Sequence, residues 1–260
     1  MNKQSTKPWF SEGGTEFTDD DPYFFDTNDF PWVKELESHW EVIRDELIEL
    51  HQNNKDSLKP YADAEMTSRK NKWKTFGMMF WKFQAPKNIK ACPKTWALVS
   101  KVPNLMAASF NLLEENTTIK PHHGDTNAII RCHMGLQVPG EAPKCAFRVG
   151  AETRSWEQGK FFMFCDAHEH TAWNNTNNAR YVLVVDIMRP EFARMQKSIA
   201  CRVLSSINLA VSFQNNPWFK KLMGNSLGKQ FMLMIYRSFF RLMFLLGMDG
   251  KVKQTKSMKG

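Results

Sequence analysis

The sequence predicts a mainly β protein whose strand-rich centre is flanked by helices on both sides. Between residues 106 and 190, short runs of β-type composition are separated by Gly, Pro, Asn or Asp residues. Their close spacing favours a compact β sandwich or barrel over βαβ units, which need a helix between successive strands. Before residue 106 and again beyond residue 190, apolar residues recur at helical spacing, as in helices with one buried face.

Each predicted element follows from a local pattern. Pro31 stands in the first turn of a predicted helix, where proline is tolerated, and Asp29 favours the positive end of that helix. Its core-facing stripe consists of Trp32, Leu36, Trp40, Ile43, Leu47 and Leu50. Residues 75–83 are aromatic and extended in character, and residues 93–102 predict a short helix. The predicted strands are 107–113, 128–136, 145–149, 160–164 and 181–187.

The chain of 260 residues is long enough for one sizeable core with appendages. We predict an irregular acidic segment (1–29), a β domain preceded by helices (30–190) and a basic helical region (191–260). The five cysteines are odd in number and lack zinc-site spacing, and residues 1–14 contain no apolar signal-peptide core. Reduced thiols in the cytoplasm are therefore expected.

The positive charge is confined to one end of the chain. The whole chain has a formal net charge of +8, yet residues 191–260 contain twelve Lys or Arg against Glu191 and Asp249, a balance of +10. Residues 1–190 therefore carry a net charge of −2. This distribution argues against nucleic acid as a partner of the β domain and favours a separate surface-binding element at the C-terminal end.

Two histidine clusters about fifty residues apart point to metal chemistry. A single histidine among strands is usually structural, but four in two clusters, each followed within ten residues by an arginine, are less easily explained that way. His122 and His123 cannot both point inward from one extended segment, whereas His168 and His170 can. Neutral imidazoles suit iron and other first-row metals, and arginine binds a carboxylate with two parallel hydrogen bonds. The pattern predicts iron together with an oxo-acid.

Four spaced motifs carry a family resemblance. They are Pro-His-x-Gly-x-Thr-Asn at 121–127, Arg-x-His-x-Gly-Leu at 131–136, Trp-x-x-Gly-Lys at 156–160 and Phe-x-Asp-x-x-x-His at 164–170. Through them, residues 91–190 resemble the aspartyl/asparaginyl β-hydroxylase family of oxygenases. The resemblance implies a double-stranded β-helix (a jelly-roll, cupin-like fold), with Fe(II), 2-oxoglutarate and O2 as cofactor and cosubstrates. It also implies hydroxylation of an unactivated C–H bond with release of succinate and CO2.

The same resemblance sets the register of the metal ligands. His123-Gly124-Asp125 spells the His-x-Asp motif of many 2-oxoglutarate oxygenases. The family's first ligand, however, stands nine residues before the arginine, which selects His122 and leaves Gly124 at the carboxylate position. A one-residue slip in an extended segment turns every side chain to the opposite face. The expected ligands are His122 and His170, and Asp125 stays open as an alternative ligand.

The cosubstrate residues are implied in the same way. Arg180 matches the arginine that grips the distal carboxylate of 2-oxoglutarate, and Arg131 and His133 are placed beside its other end. A plain salt-bridging role is the alternative for Arg131. Asn111 stands where relatives may have a small hydroxyl residue, and we assign it no firm role. Cys165, in a position where many relatives are acidic, is expected to be buried packing.

Residues 231–247 are strongly apolar and are interrupted by Arg237 and Arg241, which lie on one helical face. This predicts an amphipathic helix in an anionic membrane surface, with a core-packing or dimer-forming helix as the alternative. A cytoplasmic protein held peripherally on the membrane is thus expected, and the substrate preference leans towards a lipid acyl chain. Peptidyl or free aspartate/asparagine hydroxylation, and a non-catalytic binding module with the same fold, stay open.

Overall fold

A computed structural model describes residues 7–18 and 21–249. The chain divides into two compact units. The first, called the β unit here, comprises the described residues up to 80 together with 85–194, and the second, called the helical unit, comprises 81–84 together with 195–249. The boundary predicted at residue 190 and the one observed after residue 194 fall in the same 3-10 segment, Pro190–Met195.

Helices occur in both units, and the two of 20 residues lie in the helical unit. The β unit contains α1 (Trp32–Ser38), α2 (Trp40–Asn53), α3 (Pro86–Ala91) and α4 (Pro93–Val99), and the helical unit contains α5 (Gln196–Asn215), α6 (Pro217–Met223) and α7 (Ser226–Leu245). The strands are β1 (Phe24–Phe25), β2 (Lys59–Pro60), β3 (Trp73–Phe80), β4 (Phe83–Gln84), β5 (Leu105–Leu113), β6 (Thr117–His122), β7 (Ile129–Gln137), β8 (Cys145–Val149), β9 (Glu152–Arg154), β10 (Phe161–Cys165), β11 (His170–Asn174) and β12 (Arg180–Met188).

Two antiparallel sheets form the β unit, and they confirm the predicted double-stranded β-helix. The larger sheet has the strand order β1-β10-β7-β12-β5-β3-β2, and the smaller one has the order β6-β11-β8-β9. Apolar side chains from both sheets meet in one buried cluster, which includes Ile119, Phe147, Phe162, Phe164 and Val182. Strands remote in sequence lie side by side in each sheet, as the crossing connections of a jelly roll require.

The opposite face of the larger sheet is covered by the N-terminal helices. Leu36 of α1, and Ile43 and Leu47 of α2, join Phe110 and Met134 of the sheet in a second buried cluster. Burying one such side chain contributes roughly 1.5–3 kcal/mol, so this helix layer is a major part of the stability of the β unit. The larger sheet thus packs against an apolar layer on each of its two faces.

The predicted first helix is two helices in the structure. The chain bends at His39, whose backbone N–H bonds to the carbonyl of Leu36 and whose ring nitrogen Nδ1 lies 2.8 Å from the carbonyl oxygen of Glu35. A side chain that bonds to the preceding carbonyls competes with the helical ladder at this point. The apolar stripe continues across the bend, because Leu36 and Ile43 are both fully buried.

The five predicted strands correspond to β5, β7, β8, β10 and β12, and their ends differ from the predicted ones by at most two residues. Strands β6 and β11 were not predicted, because β6 is polar and ends in Pro121-His122, and β11 is His-Thr-Ala-Trp-Asn, which has no apolar run. The predicted extended run 75–83 ends early, since Trp81 and Lys82 have positive φ angles of 45° and 76°. The segment before residue 30, predicted to be irregular, contributes β1, which pairs with β10.

The helical unit consists chiefly of α5, α6 and α7. Helix α5 buries apolar side chains that include Ile199, Val203 and Leu204. Helix α7 buries Phe240 and Phe244, and the Phe244 ring lies 5.1 Å from that of Phe83. None of the helices in residues 7–18 and 21–249 has an apolar stretch long enough to cross a bilayer.

Candidate active site

Two histidines face each other across the smaller sheet. His122, the last residue of β6, is the direct partner of His170, the first residue of β11, and their ring centroids are 4.2 Å apart. In each ring Nδ1 lies 2.8 Å from a backbone carbonyl oxygen, that of Lys120 and that of His168, so Nδ1 must carry the proton and donate it. This fixes the tautomer in which Nε2 is free to bind a metal ion.

Burial keeps both imidazoles neutral. Desolvation lowers the pKa of His122, and it lowers the pKa of His170 well below its ordinary value, with the neighbouring His122 adding to the effect. A metal ion binds the neutral ring through its lone pair, so a low pKa favours the ligand form at neutral pH.

The carboxylate beside this pair belongs to Asp166 and not to Asp125, which is the aspartate of the His-x-Asp motif. Asp166, in the loop between β10 and β11, places Oδ1 3.5 Å from Nε2 of His170. Its backbone carbonyl accepts a 2.7 Å hydrogen bond from the N–H of Gly124. A Cβ atom at Gly124 would lie 1.9 Å from Asp166 Oδ2, so the carboxylate occupies the space that a side chain at position 124 would need.

The other residues of the first motif are oriented differently. His123 is exposed, and its Nδ1 lies 3.0 Å from the carbonyl oxygen of Ala167. Burial raises the pKa of Asp125 to about 6, with the neighbouring carboxylate of Asp166 adding to the rise. Within residues 7–18 and 21–249, no three His, Cys, Asp or Glu side chains converge on one metal position. The structure brings His122 to His170 and does not complete a triad with Asp125.

Arg131 is held by two carboxylates. Its Nε and Nη2 donate to the two oxygens of Asp186 at 2.8 and 2.9 Å, and its Nη1 donates to Asp166 Oδ1 at 2.6 Å. Asp186 and Arg131 are direct partners on β12 and β7, so the sheet register sets this fork-to-fork pair. The structure therefore shows the salt-bridging role for Arg131, and a contact to the cosubstrate stays a prediction.

Arg180 has a very different environment. It is 2% exposed, and its Nε and Nη1 atoms have no hydrogen-bond partner among the described residues. The guanidinium lies 4.2 Å above the ring of Trp156, and burial lowers the pKa of Arg180 to about 10. A buried cation without an anion is unfavourable by several kcal/mol, so this position is suited to a ligand that brings a carboxylate.

Two neutral groups beside Arg180 also lack partners. Nδ1 of His133 and Nε1 of Trp156 are buried without a hydrogen bond in the described part of the chain. The two rings stack, with an interplanar angle of 11° and centroids 6.3 Å apart. Burial lowers the pKa of His133 well below its ordinary value, and the nearby Arg180 cation lowers it further. Unpaired donors grouped in this way fit an oxo-acid rather than an apolar molecule.

Aromatic rings connect the arginine to the histidine pair. Phe147 lies 5.7 Å from Trp156 and 5.8 Å from His170, and Phe164 lies 5.2 Å from His133 and 5.4 Å from His170. All these side chains face the space between the two sheets. Arg180, His133 and the two histidines thus belong to one apolar-walled site, as an iron centre with an adjacent oxo-acid requires.

Two further residues have roles that the structure clarifies. Asn111 accepts a 3.0 Å hydrogen bond from Trp73 Nε1 and donates a 2.8 Å bond to Ser109 Oγ, so both ends of its amide are engaged. Cys165 is fully buried, and burial raises the pKa of its thiol to about 12, as expected for a packing residue.

The N-terminal segment supports the loop that contains Asp166. The sequence did not reveal this support. The buried carboxylate of Asp21 accepts hydrogen bonds from Arg189 at 2.6 and 3.0 Å and from Asn127 at 3.0 Å. The backbone carbonyl of Asp21 lies 2.8 Å from Nε2 of His168. His168, grouped with the candidate ligands by sequence, is therefore a structural residue that ties the β10–β11 loop to the N-terminal segment.

Comparison with known proteins identifies the family of the chain. The family model for aspartyl/asparaginyl beta-hydroxylase matches residues 37–190. An ornithine lipid ester-linked acyl 2-hydroxylase of Rhizobium tropici is 39% identical over 172 residues, which are 65% of this chain and 61% of that protein. The aspartyl/asparaginyl beta-hydroxylase of Mus musculus is 31% identical over 205 residues, 76% of this chain and 25% of that protein.

The chain thus spans less than two thirds of each of these relatives. A crystal structure of a Pseudomonas putida prolyl-4-hydroxylase overlaps 61% of this chain and 100% of that chain, with a TM-score of 0.44 and 12% identity. The family match covers α2 and the strands that hold His122, His170 and Arg180, so the predicted family is confirmed. The chain belongs to the aspartyl/asparaginyl β-hydroxylase family.

Proposed function

We propose that this protein is an Fe(II)- and 2-oxoglutarate-dependent dioxygenase that hydroxylates an unactivated C–H bond. In the reaction, R–H, O2 and 2-oxoglutarate give R–OH, succinate and CO2, with one oxygen atom in the alcohol and the other in the new carboxylate of succinate. The observation that supports it best is the buried Arg180, whose Nε and Nη1 are unpaired, in the same site as two histidines with free Nε2 atoms.

Iron bound by His122 and His170 would supply the activation of O2, and the chain's own residues prepare the site for it. Their Nδ1–H bonds to backbone carbonyls hold both rings in the ligand tautomer before any metal arrives. With only two protein ligands, further coordination positions are left for the cosubstrate and O2. Asp166, held by Arg131, places a negative charge beside the pair and favours a cation there.

Arg180 is proposed to bind the distal carboxylate of 2-oxoglutarate. Its planar fork matches the carboxylate geometry, and each charge-assisted hydrogen bond contributes about 1.5–3 kcal/mol. Trp156 Nε1–H is a second donor beside it, and the Phe147 and Phe164 rings exclude water from the space towards the histidines. In such a dry site the charge interaction is stronger than it is in water.

The proposed substrate is a lipid acyl chain. The support is the similarity to the Rhizobium tropici protein, whose name describes hydroxylation of an ester-linked acyl group at position 2. The competing substrate is an aspartate or asparagine residue of a protein, supported by the similarity to the mouse enzyme. The two reactions share the same cosubstrate chemistry, so they differ in the product and not in the residues of the site.

The test uses the purified full-length protein with Fe(II), ascorbate and 2-oxoglutarate. We expect succinate formation, which rises when lipid extract is added, and loss of both in His122→Ala. His123→Ala is the matched control, because the His123 ring is exposed and its Nδ1 lies beside the carbonyl oxygen of Ala167, so its loss should leave succinate formation intact. Mass spectrometry of lipids and proteins from cells with and without the gene then identifies the product by the gain of one oxygen atom.

Two results would contradict the proposal. In the first, the protein binds 2-oxoglutarate but forms no succinate under any of these conditions, which would show that it is a non-catalytic binding module. A gain of oxygen on aspartate or asparagine, with lipids unchanged, would keep the oxygenase and replace the lipid substrate with a protein.

A further inference from the structure

Helix α7 of the helical unit exposes an apolar stripe that only Ser238 interrupts. Leu227, Phe231, Met234, Leu242 and Leu245 are separated by three or four residues, with the exposed Ser238 completing the spacing, so they share one helical face. Their exposed fractions range from 51% for Phe231 to 83% for Leu245. The helix buries another face through Phe240 and Phe244, so this stripe is a second apolar surface that the helical unit leaves uncovered. A run of this kind on a water-exposed surface marks an interaction site.

The exposed charges of α6 and α7 have one sign. Lys220 and Lys221 lie in the last turn of α6, and Lys229 and Arg241 are exposed on α7. Arg241 stands four residues before Leu245 and so borders the stripe, whereas Lys229 stands two residues from Phe231 and lies on the other side of the helix. The acidic residue in the described part of the helical unit, Asp249, is 5% exposed and lies 3.4 Å from the Nζ of Lys197. No acidic side chain within residues 81–84 or 195–249 is therefore exposed to meet a cationic partner.

The exposed apolar stripe and the basic charges together indicate which kind of partner fits the helical unit. A second copy of the chain would bring the same lysines and arginines together, which is unfavourable, whereas a surface of anionic phospholipid offers negative headgroups above an apolar interior. Trp218, 69% exposed on α6, is of the residue type enriched at the level of lipid headgroups. Helix α7 is not apolar enough to cross a bilayer, so the matching arrangement is a helix lying in the interface.

We propose that the exposed stripe of α7, with Arg241 at its edge and with Lys220 and Lys221 of α6, binds the surface of an anionic phospholipid bilayer. The stripe inserts among the acyl chains near the headgroups, and the basic side chains contact the phosphates. The proposal concerns the helical unit alone and is independent of the oxygenase chemistry, because binding needs neither metal nor turnover.

The experiment measures co-sedimentation of the full-length protein with vesicles, in the absence of iron and 2-oxoglutarate. Vesicles of phosphatidylglycerol mixed with phosphatidylcholine are compared with vesicles of phosphatidylcholine alone. We expect binding to the anionic vesicles to be much stronger. Added salt should weaken it and leave a residual apolar part, since charges are screened beyond about 8 Å at physiological ionic strength.

Two variants separate the apolar from the electrostatic contribution. Leu227→Gln with Leu245→Gln removes apolar surface without changing charge, and it should weaken binding by roughly tenfold or more. Lys220→Gln with Lys221→Gln removes charge and should reduce the preference for anionic vesicles. Val42→Gln is the matched control, because Val42 is an exposed apolar residue of α2 and should leave binding unchanged. Circular dichroism checks that each variant is folded; at the 80% and 83% exposure of Leu227 and Leu245, no core contact is lost.

Three results would overturn the proposal. In the first, the unaltered protein stays in the supernatant with both kinds of vesicle. In the second, the double leucine variant sediments as well as the unaltered protein, which would place the lipid contact elsewhere. In the third, the protein is a dimer that the double leucine variant converts to a monomer, with no vesicle binding, which would show that a second copy covers the stripe.

Discussion

Arg180→Met should make the protein more stable in the absence of 2-oxoglutarate, even though it removes the proposed cosubstrate anchor. Arg180 is buried, and its Nε and Nη1 have no partner among the described residues. Methionine is apolar and of comparable length, so it removes the buried charge with little change in packing. Replacing a buried charge by an apolar residue of similar volume is often neutral or stabilising.

The magnitude follows from the pKa of Arg180. Burial lowers it from 12.5 to about 10, which corresponds to roughly 3 kcal/mol against folding. The guanidinium of Arg180 binds its proton more tightly in the unfolded chain than in the folded one. The full destabilisation is therefore present at neutral pH, and it is lost only as the pH rises above about 10. The contact with the Trp156 ring offsets about 1–2 kcal/mol of it. We therefore expect a net gain of roughly 1–2 kcal/mol, or about 2–8 °C in Tm.

The assay is unfolding by heat and by urea at neutral pH, with and without 2-oxoglutarate. In the unaltered protein 2-oxoglutarate should raise Tm, since a ligand that binds only the native state stabilises it, and in Arg180→Met it should not. Arg131→Met is the control with the opposite sign. It leaves Asp166 and Asp186 buried without their cation and should cost roughly 3–5 kcal/mol.

One outcome would refute the reasoning about Arg180. If Arg180→Met without 2-oxoglutarate destabilises the protein by an amount similar to that of Arg131→Met, then Arg180 has an internal anionic partner. Its unpaired state could then no longer be used to place the cosubstrate.

Four further predictions concern the same site. His122→Ala should abolish metal binding, measured by calorimetry, whereas Asp125→Asn should keep it; the reverse result would shift the ligand register. Because the pKa of Asp125 is raised to about 6, its ionised form opposes folding above that pH, so Asp125→Asn should stabilise the protein at neutral pH and lose this gain towards pH 4. Arg180→Lys should weaken 2-oxoglutarate binding by roughly ten- to a hundredfold in a titration, and unchanged affinity would place the cosubstrate elsewhere. Gly124→Ala should cost about 1–3 kcal/mol and weaken metal retention, since its Cβ would lie 1.9 Å from Asp166 Oδ2; full activity would show that Asp166 can move freely.

The sequence predicted the parts of the fold that depend on local patterns. The five apolar runs became strands because alternation and composition alone favour an extended, half-buried conformation. This pattern did not identify strands β6 and β11, although they contain His122 and His170. Their residues serve the site and the pairing with neighbouring strands, and a local apolar pattern reveals neither role. The family motifs supplied the spacing that local periodicity lacked.

The site was predictable as a set of residues and not as a set of contacts. The motif that includes Asp166 identified it only as a neighbour of His170, because a sequence cannot show that its carboxylate fills the space at Gly124. The Asp21–Arg189 pair joins residues 168 positions apart, so no local signal could reveal it. Arg131 and Arg180 are both arginines in family motifs, and only the sheet register shows that one is paired and the other is not.

This difference between the half-buried Arg131 and the buried Arg180 bears on how the proposed site would direct an oxo-acid. Asp186 and Asp166 occupy three donor atoms of Arg131 and bring two negative charges beside it, so a free carboxylate approaching that side meets repulsion. Arg180 has no such neighbours, and its burial makes an incoming carboxylate more favourable than it would be at the surface. Under the proposed function, the destabilisation at Arg180 would be offset when the cosubstrate binds. The carboxylates around Arg131 instead leave a negative field next to the histidine pair, where it favours a cation. Under the proposed function, charges of opposite sign at opposite ends of one inter-sheet space would set the direction in which 2-oxoglutarate lies.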